Sequence, residues 1–502
     1  MTLTSILEFH NATTQVPFDI FEDANIHFGK ITVKVPEISI NPFTWDVKFS
    51  IDASQSMHDS CRDGKTKIDH IKYTMTHILK TFVKYAETTP KLIFNVCIHA
   101  FNDNNSEIFD FIHLTADNLD YHLDKINEIM PDNATNLLLP IQITNEQMQL
   151  RENEFPNHKR LHILLTDGQD TSSNTNTTIC AAVNSTYDFI VFGFGNDHDS
   201  STLQKIAQKP RCDYGFIDVL ERAGLVYGEY LHNVLYAAYE NVTIQLENAT
   251  IYDWKTNQWS PSINIPNLAS GLTKTYYVKT RLPESLAGTI YGTKLPEYTN
   301  GLLDHIELLP ALLDGNTDEI LTTNLLHDMF RLKTMELLFS ANHQPPNYSE
   351  IDDDTPPTNV VKEKIRTFFN VLKTYMKDND CLEEPLLKTL LDDLYVTYKT
   401  MGTRNFELYG SARQRSQGRQ NVCTATQIDD DDTNDPFAQT NVFTMTPMQL
   451  RRQPTISRIP APLSLHIISD EPDEMDEHTL SQTQNAYASP SVTRLMREMS
   501  GQ

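Results

Sequence analysis

The chain has 502 residues, 39% of them hydrophobic, which is enough for about two to four folded domains. Its formal net charge of −26 argues against nucleic-acid binding, which needs a basic surface. No N-terminal signal pattern and no apolar run long enough to span a bilayer is visible. The six cysteines form no Cys-x-x-Cys pair, so we expect free thiols in a reducing compartment, no structural zinc, and a cytoplasmic protein.

Strand and helix patterns alternate over residues 44–240. Apolar residues alternate with polar ones from Trp45 to Ile51, and apolar residues at helical spacing follow from Ile68 to Val83. Further runs that are typical of buried strands lie at 92–98, 161–165 and 189–192. This alternation predicts an α/β domain with a mainly parallel, doubly wound, Rossmann-like sheet that is covered by helices on both faces.

Residues 241–312 have a different pattern. The runs at 242–246 and 276–280 are typical of antiparallel strands with turn-rich segments between them. Another strand is predicted at 31–35, in an N-terminal segment too short to fold alone. We therefore predict that residues 1–43 and 241–312 build one β-sandwich, with the α/β domain inserted between them.

Residues 313–420 are predicted to be a helical domain, and residues 421–502 a disordered acidic tail. The spacing of apolar residues indicates helices at 320–338, 361–375 and 386–394. Two tail segments differ from their surroundings, a basic patch at 450–455 and an amphipathic segment at 489–499. The amphipathic segment leaves two alternatives open, a helix that docks in a partner's groove and a frayed end.

Five oxygen-bearing residues lie on three loops of the α/β domain. Asp52, Ser54 and Ser56 follow the first strand, Thr135 lies in a later loop, and Asp167 directly follows the strand at 161–165. Ligands of such folds bind beyond the carboxyl ends of the strands, where we expect these side chains to meet. Carboxylate and hydroxyl oxygens are hard ligands that suit Mg²⁺, with Mn²⁺ or Ca²⁺ as alternatives.

The set formed by Asp52-x-Ser54-x-Ser56, Thr135 and Asp167 resembles the metal-ion-dependent adhesion site of von Willebrand factor type A (VWA) domains in order, spacing and context. The resemblance implies that the two serines and the threonine are direct metal ligands. It implies that the two aspartates act as charged ligands through water. It also implies that an Asp or Glu of a protein partner completes the coordination of the metal.

The resemblance extends to a sub-group of these proteins. The segment at 192–199 is similar to one in members whose A domain lies within a β-sandwich and precedes a helical segment, and residues 409–419 resemble the end of that segment. Asn133-Ala134 replaces the usual glycine pair before the threonine, and Gln55 replaces a glycine between the serines. We expect these replacements to affect which partner the domain binds more than whether it binds the metal.

The sequence lacks three common enzyme motifs. It contains no P-loop, no His-Glu-x-x-His and no Gly-x-Ser-x-Gly, and Asp63 is the one weak candidate for a base beside the metal. We therefore expect a non-enzymatic interaction adaptor that binds an acidic partner side chain through the cation, with a second partner at the C-terminal tail. The alternative is a structural component of a large assembly, such as a virion, with a vestigial or purely stabilising metal site.

Overall fold

The computed structural model describes the chain in nine stretches, which are residues 2–11, 14–61, 63–195, 198–217, 223–306, 322–343, 360–402, 406–421 and 489–501. They form an α/β domain inserted into a β-sandwich, followed by a helical unit and a separate C-terminal helix. The fold class predicted from the sequence is thereby confirmed.

The chain begins with two antiparallel strands, β1 (Thr4–His10) and β2 (His27–Lys34). Leu7 of β1 and Ile31 and Val33 of β2 are almost completely buried. Ile31 and Val33 are two residues apart, so both point to the same face of the sheet. This apolar face has no partner within the N-terminal segment, and the segment therefore depends on strands that come much later.

A six-stranded sheet forms the centre of the α/β domain. Its strands are β3 (Thr44–Asp52), β4 (Ile93–Phe101), β5 (Asn105–His113), β6 (Lys159–Thr166), β7 (Asp188–Phe194) and β8 (Cys212–Ile217). Their order is β5-β4-β3-β6-β7-β8, and all pairs are parallel except β4 with β5. Because β3 and β6 are parallel neighbours, their carboxyl ends lie side by side.

Helices cover both faces of this sheet. Within the described residues they are α1 (Lys67–Thr88), α2 (Ala116–Asn127), α3 (Leu138–Glu154), α4 (Asn176–Ala182), α5 (Ser200–Ile206) and α6 (Ala223–Leu235). The start of α1 is fixed by a capping box, in which Thr66 and Asp69 each accept a hydrogen bond from the other's backbone N–H. This cap places Lys67 in the first turn of α1, beside the loop that follows β3.

After α6 the chain returns to β1 and β2. The strands are β9 (Ala237–Glu247), β10 (Thr250–Asp253), β11 (Gln258–Ser260), β12 (Ser262–Ala269), β13 (Thr273–Thr280), β14 (Ala287–Lys294), β15 (Thr299–Ile306) and β16 (Thr322–Thr323). One sheet has the order β11-β10-β13-β2-β1-β16, and the other has the order β12-β9-β14-β15. Every pair is antiparallel except β1 with β16.

A common apolar core joins the two sheets of the sandwich. Leu7 and Val33 from the first sheet and Ile244 and Ile290 from the second belong to one buried cluster. Both sheets thus bury one face against the other, which is the arrangement of a sandwich. The α/β domain is inserted between β2 and β9, as predicted.

The helical unit consists of α7 (Leu326–Asn342), α8 (Val360–Asp378), α9 (Pro385–Thr400) and α10 (Phe406–Arg419). The first predicted helix starts later than expected, because Thr322–Thr323 pairs with β1 and α7 begins at Leu326. Residues 320 and 321 lie outside the described residues. Periodicity did not predict α10, since its polar sequence carries no clear apolar stripe, although the resemblance placed residues 409–419 at the end of a helical segment.

The amphipathic segment near the C-terminus is a helix, α11 (Pro490–Ser500). It packs against α1 and α6 of the same chain and buries Val492, Leu495 and Met499. This segment, assigned to the disordered tail and considered for a partner's groove, is therefore ordered on its own α/β domain. The rest of the predicted tail, 422–488, lies outside the described residues and includes the basic patch.

Two sequence-based expectations, one about membrane spans and one about the cysteines, can be compared with the described residues. None of their helices combines the length and the apolar character needed to cross a membrane. Their cysteines are free thiols, namely Cys61, Cys97, Cys180, Cys212 and Cys381. The sixth, Cys423, lies outside the described residues.

Candidate metal centre

The two predicted carboxylate ligands meet at the carboxyl edge of the central sheet. Asp52 ends β3 and Asp167 directly follows β6, its parallel neighbour. Asp52 Oδ1 accepts a hydrogen bond from the Ser54 N–H at 2.9 Å, and Oδ2 accepts one from Thr166 Oγ1 at 2.6 Å. These two bonds fix the Asp52 carboxylate in one orientation.

Both carboxylates are buried, Asp52 with 0% and Asp167 with 1% of its surface exposed. Burial, together with the negative charge of Asp167, raises the pKa of Asp52 to about 6, while hydrogen bonds from Ser54 and Thr166 oppose the rise. Two carboxylates held together away from water are unfavourable unless a positive charge lies between or beside them. The arrangement therefore fits a cation.

The two predicted serine ligands link these carboxylates. Ser54 precedes and Ser56 lies within a short 3₁₀ helix, Gln55–His58, which turns the chain back over the edge of the sheet. The Oγ atoms of Ser54 and Ser56 are 3.1 Å apart, and Ser56 Oγ donates to Asp167 Oδ1 at 2.8 Å. A continuous row of oxygens thus leads from Ser54 to Asp167.

The fifth predicted ligand, Thr135, lies in the loop between α2 and α3. Its backbone N–H donates to Thr171 Oγ1 at 2.9 Å, and its carbonyl accepts from the Thr171 N–H at 2.9 Å. A Cβ atom added to Gly168 would lie 3.0 Å from Thr135 Oγ1. The Thr135 hydroxyl therefore lies against the backbone next to Asp167, and the glycine permits this approach.

The two departures from the VWA pattern are in contact with each other. Asn133 adopts a φ of 65°, a left-handed conformation that asparagine tolerates better than most residues. Its carbonyl accepts a hydrogen bond from the Gln55 N–H at 3.0 Å. The serine loop and the threonine loop are thus joined at the positions where glycines are usual.

Sequence reasoning missed Lys67. Its Nζ donates to Asp167 Oδ2 at 2.6 Å and to Asp59 Oδ2 at 3.3 Å. Burial favours the neutral amine, but the two carboxylates outweigh burial, so the pKa of Lys67 lies above its ordinary value. The available signal was the capping box, which predicts that residue 67 begins a helix beside the serine loop.

Asp170 and Asp63 have structural contacts that the sequence did not reveal. Asp170 accepts hydrogen bonds from the Leu137 N–H at 2.8 Å and the Ser172 N–H at 2.9 Å, which ties the loop after β6 to the threonine loop. Asp63, the candidate base, accepts from the Lys65 N–H at 3.1 Å and lies 3.1 Å from His70 Nε2. Its contacts shape the loop before α1.

The described residues contain no second candidate metal site. Asp199 accepts a hydrogen bond from the Thr202 N–H at 3.0 Å and caps α5. Across the described residues, no group of three or more His, Cys, Asp or Glu side chains could hold a metal ion. The centre around Asp52 has only two carboxylates and would complete its ligand set with hydroxyl oxygens, so it falls outside that definition. It remains the candidate metal site of the described residues.

The α/β domain matches one protein family model. The model of the von Willebrand factor type A domain family matches residues 46–223. No curated protein matches the chain. Among solved structures, the ArnB paralog VWA2 from Sulfolobus acidocaldarius is 12% identical with a TM-score of 0.45, and the match covers 83% of this chain and 98% of that one.

A von Willebrand factor type A protein from Catenulispora acidiphila is 12% identical with a TM-score of 0.46, and the match covers 78% of this chain and 89% of that one. Proximal thread matrix protein 1 from the mussel byssus, with a zinc-occupied MIDAS motif, is 16% identical with a TM-score of 0.28. That match covers 38% of this chain and 44% of that one. On the family match, residues 46–223 of this chain are a von Willebrand factor type A domain.

Proposed function

We propose that this chain is a non-enzymatic adaptor whose VWA domain binds an acidic side chain of a protein partner through a divalent cation. VWA domains commonly bind protein partners through such a metal site. The observation that carries the proposal is the row of oxygens from Ser54 through Ser56 to Asp167, with Asp52 beside it. The loops after β3 and β6 and the loop between α2 and α3 converge there, and they would leave few charged ligands around the cation.

The cation would be held by Asp52, Ser54, Ser56, Thr135 and Asp167. Mg²⁺ suits this all-oxygen set, and Mn²⁺ or Ca²⁺ could take its place. A bound cation supplies a Lewis acid that attracts the carboxylate of a partner. Because the hydroxyl ligands are neutral, the cation keeps much of its charge for that carboxylate.

The proposal also covers the setting of the protein and a second contact. The free thiols are typical of a reducing compartment, so we place the adaptor in the cytoplasm. Residues 422–488 would recruit the second partner, because α11 is occupied on the chain's own VWA domain.

The test is partner capture by the purified full chain in Mg²⁺, in EDTA, and with Asp167→Ala. We expect the wild type to capture partners in Mg²⁺ but not in EDTA, and we expect Asp167→Ala to capture none. The variant and the chelator each remove the cation from the centre. Asp120→Ala, an exposed position on α2, is the matched control and should capture as the wild type does. Replacement of the contacting Asp or Glu in a captured partner should also abolish binding. Capture that survives both EDTA and Asp167→Ala would refute the proposal.

The second candidate is a structural component of a large assembly. The observation that favours it is the Lys67–Asp167 ion pair, which already supplies Asp167 with a positive charge. In this case chelation and Asp167→Ala would leave the set of partners unchanged. The same capture experiment therefore separates the two functions.

A further inference from the structure

We propose that Lys67 is a built-in counter-cation, which competes with the divalent metal for Asp167 and thereby sets the metal affinity of the centre. This inference rests on the proposed metal site. Lys67 Nζ lies 2.6 Å from Asp167 Oδ2, closer than to Asp59 Oδ2 at 3.3 Å. The side chains of Lys67 and Asp167 are only 15% and 0% exposed, so water screens their attraction poorly.

Both oxygens of Asp167 are engaged within the protein. Oδ1 accepts from Ser56 Oγ at 2.8 Å, and Oδ2 accepts from Lys67 Nζ. A cation that binds Ser56 and Asp167 must share this carboxylate with the ammonium group. Like charges a few ångströms apart repel strongly in a poorly hydrated environment. Metal binding therefore has to weaken the ion pair, and the cost appears as lower affinity.

The structure also offers Lys67 a second place. Asp59 lies within reach of the same ammonium group and is 66% exposed at the rim of the centre. When metal takes Asp167, Lys67 can keep an ion pair with Asp59 without leaving its position at the start of α1. The competition thus needs only a side-chain rotation, and the loops that carry the ligands stay in place.

The test is a calorimetric titration of the purified full chain with Mn²⁺ or with Mg²⁺, in the absence of any partner. Lys67→Met removes the charge and keeps the length, and we expect its Kd for either metal to be about tenfold lower than that of the wild type. Lys67→Arg keeps the charge and should stay within about twofold of the wild type. Lys65→Met is the matched control, because Lys65 is 60% exposed and pairs with Asp63 instead.

Thermal unfolding provides a second readout that does not depend on any partner. In EDTA, Lys67→Met should melt below the wild type, because Asp167 loses its neutralising charge. The rise in melting temperature on adding Mg²⁺ should then be larger in the variant than in the wild type. A variant that is merely damaged would melt lower in both conditions without the larger rise. Lys67→Gln carries the same expectations and replaces the Met variant if that variant folds poorly.

The outcomes separate this inference from the proposed function. If the wild type binds metal and the Lys67→Met Kd is unchanged or higher, the competition is refuted while the metal site stands. An equal gain in affinity from Lys65→Met would refute a specific role of Lys67. If neither the wild type nor any variant binds either metal, the metal site and the competition both fail, and Lys67 is a structural ion-pair residue.

Discussion

The two glycines around the end of β7, Gly193 and Gly195, contact a buried histidine. His198 is 3% exposed, its Nδ1 donates to the Gly195 carbonyl at 2.9 Å, and its Nε2 accepts from the Tyr214 hydroxyl at 2.6 Å. Any Cβ atom on Gly193 would collide with the His198 ring. Both ring nitrogens are thus bonded in the neutral state, and Gly193 and His198 have a packing role here.

This histidine makes the stability of the fold depend on pH. Burial lowers the pKa of His198 to about 4, although the carbonyls of Gly195 and Phe194 oppose the shift. The unfolded chain takes up a proton near pH 6.5, which the folded chain excludes until about pH 4. His198 therefore lowers the free energy of unfolding as the pH falls between these values. Replacement by Phe should reduce the loss between pH 7 and about pH 5 by about 2 kcal/mol.

Urea unfolding at several pH values measures this difference. His198→Gln is the control, since it is also non-titrating and should flatten the pH dependence as His198→Phe does, whatever its absolute stability. A pH dependence that equals that of the wild type in both variants would show that His198 is not excluded from protonation in the folded state.

At the scale of elements, α11 is held by a close backbone approach to α6. A Cβ atom on Gly228 would lie 2.5 Å from Met496 Cα, and one on Gly224 would collide with the Met499 carbonyl. Polar contacts flank this packing, because Glu498 accepts from Lys84 Nζ at 2.6 Å on α1. The two glycines of α6 therefore form the groove that receives α11.

Gly228→Ala tests whether this groove is needed. Alanine favours an isolated helix, but here its methyl group meets backbone that can only move with the whole of α11. We expect a net loss of about 1–3 kcal/mol in the free energy of unfolding and faster hydrogen exchange over residues 489–501. Gly301→Ala is the control, because nothing lies within 4 Å of its added Cβ. Unchanged exchange in α11 for Gly228→Ala would contradict the packing described.

At the scale of the molecule, α10 joins the helical unit to the other two parts. The Arg415 guanidinium donates to Asp213 Oδ1 on β8 at 3.1 Å, and Arg419 pairs with the other oxygen of Asp213. Gln420, just after α10, accepts from the Thr275 N–H on β13 at 2.9 Å. One polar helix thus contacts both the VWA domain and the sandwich, which explains why it lacks a simple apolar stripe.

Asp213→Ala removes the carboxylate that compensates these two arginines. Burial already lowers the pKa of Arg419 to about 10. Without Asp213, the guanidinium charge of Arg419 would lie in a poorly hydrated site with no carboxylate from Asp213 to offset it. We expect the free energy of unfolding in denaturant to fall by about 3 kcal/mol. Asp188→Ala, which breaks a more exposed pair with Arg211 just before β8, should cost at most about 1 kcal/mol. Equal losses in the two variants would argue against α10 as a joining element.

The sequence alone determined the elements whose patterns are local and the order of the candidate ligands. The α/β alternation, the strands of the sandwich and the apolar face of the segment at 489–499 could be predicted because periodicity depends on neighbouring residues. The residues Asp52 and Asp167 could be placed at one edge because parallel neighbouring strands share a carboxyl end.

Tertiary structure alone decided the contacts between segments distant in the chain. Lys67 meets Asp167 across 100 residues of sequence, and Lys84 meets Glu498 across 414. No local pattern specifies such a pair, since it results from how the sheet, α1 and α11 pack. For the same reason the sequence indicated that 489–499 has an apolar face but not that α6 of the same chain covers it.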